Sequence, residues 1–124
     1  MTVENLWIND IYFAAADVTY RLDEEVLCIA ISEVDARTRP FLADLPHAYE
    51  RGERLQITWR EKCLTAALHG VGGTGGWHTP APGEKPPKRP KHFSKQLFYE
   101  HFAAAEKFDM ELLVSPEQYE SVFH

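Results

Sequence analysis

The stretch from Gly70 to Pro90 constrains this chain more than any other. It opens on the five glycines of Gly70–Gly76 and goes on through five of the chain's eight prolines. No regular element survives such a composition. Structureless segments beyond about 12–15 residues inside a compact domain are usually functional or disordered. The sequence therefore reads as one α+β domain over residues 1–124, interrupted by a flexible Gly/Pro-rich basic loop at 70–91.

Upstream of the loop the signals are those of strands. Leu6 to Leu22 is apolar, aromatic and β-branched, with period-2 stretches at Ile11/Phe13 and Val18/Tyr20/Leu22. The run Ala14-Ala15-Ala16 points to two shorter strands or one bulged strand. Val26 to Val34 is the most apolar run and suits a central strand covered on both faces. Residues 40–53 resist assignment, because Pro46 argues against a continuous helix through Phe41, Leu42 and Leu45. Gly52 marks a turn. Leu55, Ile57 and Trp59 then alternate with polar residues, and Leu64, Ala66 and Leu68 do the same after a short polar break, so the pair reads as an antiparallel hairpin.

Downstream, Ser94 can cap a helix over 95–107 with Phe98, Phe102 and Ala105 on one stripe. Phe108 to Val114 alternates as a strand. Ser115-Pro116-Glu117-Gln118 places a capping serine, a first-turn proline and a glutamine at the third helical position, a capping box opening a C-terminal helix. The order suits an antiparallel sheet of about five strands followed by helix, strand and helix, with the helices on one face. The alternative is a small, strongly bent β-barrel with helical appendages.

The chain carries a net charge of −6, unevenly spread. Glu84 stands against Lys85, Lys88, Arg89, Lys91 and Lys95, so the remainder is strongly acidic. An acidic body repels nucleic acid at long range and disfavours it as a partner, although the 85–95 segment could still touch a phosphate. No apolar stretch approaches the roughly 18 residues of a membrane helix, and no basic, then apolar, leader opens the chain. A cytoplasmic protein is the expectation. Cys28 and Cys63 both lie in apolar runs and read as buried, reduced thiols.

Chemistry is hard to assemble. The six histidines show none of the metal-ligand spacings, so neither a metal nor a cofactor is expected. No serine sits in a nucleophile elbow. The glycines lack the helix that a phosphate-cradling loop requires. The segment after them has a clearer use: its prolines favour an extended chain that loses little entropy on binding. Trp77, His78, Lys85, Lys88, Arg89, Lys91, His92 and Phe93 would then form a docking arm for another protein. The expected function is a small non-enzymatic binding protein of the inhibitor, immunity-protein or adaptor type. The alternative is a small-ligand or nucleotide-phosphate domain using His69, Gly72, Gly73, Gly75, Gly76, Lys85 and Arg89. A weaker one is nucleic-acid binding through 85–95.

Overall fold

The computed structural model describes residues 1–74 and 103–123. In chain order the elements are β1 (Thr2–Ile8), β2 (Ile11–Arg21), β3 (Val26–Ile31), α1 (Arg39–Arg51), β4 (Arg54–Trp59), β5 (Lys62–Thr74), β6 (Lys107–Leu113) and α2 (Pro116–Phe123). All strand pairs are antiparallel. The strands run β1-β2-β3-β6-β5-β4 around the sheet, and β4 returns to β1 to close a barrel. The open sheet with helices on one face is therefore corrected to the bent-barrel alternative. The closing seam pairs Leu6 with Trp59, Trp7 with Thr58 and Ile8 with Ile57, residues some fifty positions apart, a pairing that local patterning does not reveal.

Closure follows from what the strands must bury. Inward rows of Val3, Leu6 and Ile8 on β1, Leu27, Ile29 and Ile31 on β3, and Leu55, Ile57 and Trp59 on β4 join one continuous core. Phe13, Ala16 and Val18 on β2, Leu64, Ala66 and Leu68 on β5, and Phe108, Met110 and Leu112 on β6 complete it. Each large aliphatic side chain so buried stabilises the fold by about 1.5–3 kcal/mol. Closure also removes the open sheet edges that would otherwise invite association. β3 is thus a wall strand buried on its inner side, not a strand covered on two faces: Cys28 and Ala30 face outward, half-buried and exposed.

The break in the N-terminal apolar run falls at Asn9-Asp10, not at the alanines. Asn9 adopts φ 53°, and its side-chain Oδ1 accepts the Gln56 N–H at 3.0 Å, locking the hairpin end to β4. Asn5 also takes a positive φ, 58°. Alternation slips there, with Glu4 and Asn5 both exposed, and it slips again on the partner strand at Ala14-Ala15. Because both strands slip at one level, the pairing register is unchanged from Thr2↔Asp17 to Ile8↔Ile11. Beyond this irregularity β1 parts from β4. The Trp59 indole Nε1 donates across the gap to the Glu4 carbonyl at 2.9 Å.

α1 is continuous through Pro46, against expectation. The proline forfeits one backbone hydrogen bond, but Leu42, Leu45 and Ala48 are buried in the core on that helix, and their burial offsets the loss. Gly52 ends it at φ 66°. Its N–H reaches the Tyr49 carbonyl and the Glu53 N–H reaches the Ala48 carbonyl, a Schellman arrangement. Phe41 of α1 packs edge-on to Phe13 and tilted against Phe108 at one end of the barrel. α2 covers the other end, where Tyr119 stacks on Tyr20 at 4.4 Å and Phe123 on Trp59 at 5.5 Å. The capping box holds: Ser115 Oγ accepts the Gln118 N–H, and Gln118 Oε1 accepts the Ser115 N–H at 3.1 Å.

Two other expectations change, and the end of a third. Gly70 to Thr74 belong to β5 and not to the loop. Cys63 is exposed, because Leu64, Ala66 and Leu68 take the inner face, and Cys28 is half-buried. Both are free, and β6 lies between their strands. The helix expected over 95–107 falls mostly outside the described residues, and Lys107 already begins β6.

Candidate functional site

β5 gains one residue at His69, where the register with β6 shifts between Leu68 and Gly70. This bulge leaves His69 exposed and turns Gly70 and Gly72 to the outer wall, opposite Glu111 and Asp109. A Cβ on Gly72 would lie 2.5 Å from Asp109 Oδ1, and one on Gly70 3.4 Å from Glu111 Oε2. Lacking side chains, the glycines let both carboxylates lie across β5. They serve close approach within a sheet, not hinge motion.

The neighbouring strands extend the same rows. Asp17, Ala30, Asp109 and Gly72 stand side by side across β2, β3, β6 and β5, and Thr19, Cys28, Glu111 and Gly70 form the next row. The wall is thus acidic, with small residues between the carboxylates. A groove of about 430 Å³ runs over it, lined by Thr2, Ala15, Asp17, Ala30, Lys107 and Asp109 among others. Asp17 Oδ1 accepts the Thr2 hydroxyl at 3.2 Å. Arg21 is already committed, its Nη2 lying 3.0 Å from Glu111 and its Nε 3.2 Å from Glu24. The turn Asp23-Glu24-Glu25 adds more negative charge beside it.

This arrangement can attract cations, and its carboxylates are spread apart. Asp17 and Asp109 sit on strands separated by β3, hence roughly 9–10 Å apart at the usual strand spacing. At that distance they cannot share a proton as a catalytic pair does. Burial pushes the Cys28 thiol up, Arg21 opposes this, and Glu111, Asp109 and Glu24 push it further, so the thiolate is disfavoured. Among the described residues no three His, Cys, Asp or Glu side chains group to hold a metal ion.

The residues singled out in the sequence are divided by the fold. Trp77, His78, Lys85, Lys88, Arg89, Lys91, His92 and Phe93 lie outside the described residues, as do Gly75 and Gly76. His69, Gly72 and Gly73 lie in β5, with the Asp109 carboxylate over Gly72. Sequence reasoning missed the acidic wall, although Asp109 and Glu111 stood at the outward positions of an alternating strand. Trp7 and Tyr12 are each 43% exposed on the outer wall, against 8% for the inward Trp59.

No helix among the described residues is long and apolar enough to cross a membrane. Comparison with protein-family models, with curated proteins and with solved structures finds no match to this chain.

Proposed function

We propose that the protein is a non-enzymatic binding protein of the inhibitor, immunity-protein or adaptor type, which docks or occludes a partner protein through its acidic barrel wall. One observation carries this reading. Asp17 and Asp109 project from the two strands that flank β3, while the nearby Arg21 is spent in ion pairs with Glu111 and Glu24. Such a surface steers a positively charged partner into place and rejects anionic ones. Among the described residues the inward side chains of the six strands join one continuous core, which leaves the outer wall as the surface offered to a partner. In this proposal the cationic 85–95 stretch, with Trp77 and Phe93, supplies a second contact region, and the protein works in the cytoplasm.

The test is affinity capture from the source lysate with the wild-type chain and with the double variant Asp17→Lys/Asp109→Lys, whose fold is checked by its melting temperature. A partner is expected that elutes as salt rises and is lost from the variant. Partners that bind both chains equally, or none at all, would overturn the reading. The ligand-binding alternative predicts instead that nucleotides or sugar phosphates raise the melting temperature.

A further inference from the structure

A second surface stands apart from the acidic wall and can fail or hold independently of it. Tyr12, Trp7, Thr58 and Cys63 lie in one row across β2, β1, β4 and β5. The two rings meet at 5.3 Å between centroids and 57° between planes. The Tyr12 hydroxyl donates to Asn5 Oδ1, which fixes its ring on the wall. On the other side Thr58 and Cys63 are small, so the aromatic pair stands above its surroundings. Among the described residues Trp7 makes one ring contact, with Tyr12, and its indole N–H meets no acceptor.

We infer that this aromatic ridge docks a proline-rich peptide in the polyproline II conformation. Such a peptide offers flat pyrrolidine faces to aromatic rings and unpaired carbonyls to an indole donor, and it arrives with little conformational entropy to lose. Area selects this occupant over a second copy of the chain. At 43% exposure each, the two rings offer on the order of 200 Å², whereas a stable dimer needs about 800 Å² from each partner. The net charge of −6 also sets copies against each other.

Decaproline titrated into the full ¹⁵N-labelled chain tests the assignment, with a Gly-Ser decamer as control. The Trp7 indole resonance, identified by its loss in Trp7→Phe, is expected to shift and saturate with a Kd of millimolar or tighter. Tyr12→Ala, which keeps the indole, should weaken binding at least tenfold while the melting temperature shows it folded. A stationary Trp7 resonance, an equal response to the Gly-Ser decamer, or unchanged affinity in Tyr12→Ala would each overturn the inference. So would a wild-type chain that sediments as a dimer and becomes monomeric in Trp7→Ala, which would assign the ridge to self-association.

Discussion

Replacing Glu61 by glycine should make the protein more stable. β4 and β5 are joined by Arg60 and Glu61 alone, at φ 51° and 66°. Two positive φ angles in a two-residue hairpin are the I′ geometry, which matches the twist of the strands and favours Asn-Gly. An L-residue held there costs about 1–2 kcal/mol. Glycine removes that cost at position 61 but loses about 0.5–1 kcal/mol more conformational freedom on folding. The net gain is about 0.5–1 kcal/mol. At an unfolding entropy of about 2.1 cal/mol/K per residue, this raises the midpoint by about 2–4 °C. Arg60 should be kept, since its guanidinium lies 4.3 Å over the Trp59 ring, a contact of about 0.5–1 kcal/mol. The mirror experiment is Gly52→Ala. A Cβ there meets nothing within 4 Å among the described residues, so only the φ of 66° opposes it, and by the same two terms the midpoint should fall by about 2–4 °C. Calorimetry at neutral pH reads both. Should Glu61→Gly leave the midpoint unchanged or lower it while Gly52→Ala proves neutral, the backbone argument is wrong at both sites.

Ser115→Ala removes the hydroxyl that receives the Gln118 N–H and should cost about 1 kcal/mol in urea unfolding. Trp59→Phe keeps much of the stacking on Phe123 but leaves the Glu4 carbonyl without its indole donor; about 1–3 kcal/mol should be lost, with the largest rise in hydrogen exchange along the β1–β4 seam. Asp35 accepts the Thr38 and Arg37 N–H groups, and these bonds, with the Thr38 hydroxyl and the Arg37 charge, hold its carboxyl below the ordinary 3.8 despite opposing desolvation. Because its folded pKa is lowered, the stability it lends is full above that ordinary value and disappears as pH falls through the lowered one. In Asp35→Asn, urea midpoints should lose this acid-side dependence, and a profile that still parallels the wild type would contradict the assignment.

Local chemistry alone determined a good part of this protein. The alternation at Leu55, Ile57 and Trp59 put those side chains inward, as the barrel does. Ser115 and Gln118 announced their reciprocal cap, and Gly52 its turn, because each depends on neighbours within a few residues. Where strength depended on distant partners, the sequence misled. Pro46 argued against a helix that core burial sustains, and Gly70 and Gly72 looked like loop until two carboxylates on β6 were found lying over them. Trp7 and Trp59 share a residue type and a strand-like setting, yet closure turned one outward and the other inward. The acidic wall likewise exists only because register sets Asp17, Ala30 and Asp109 abreast from three separate strands. Alternation tells each strand which residues belong on one face; which strands become neighbours, and so whether the sheet closes and what its outside carries, is settled by burying all the inner faces at once.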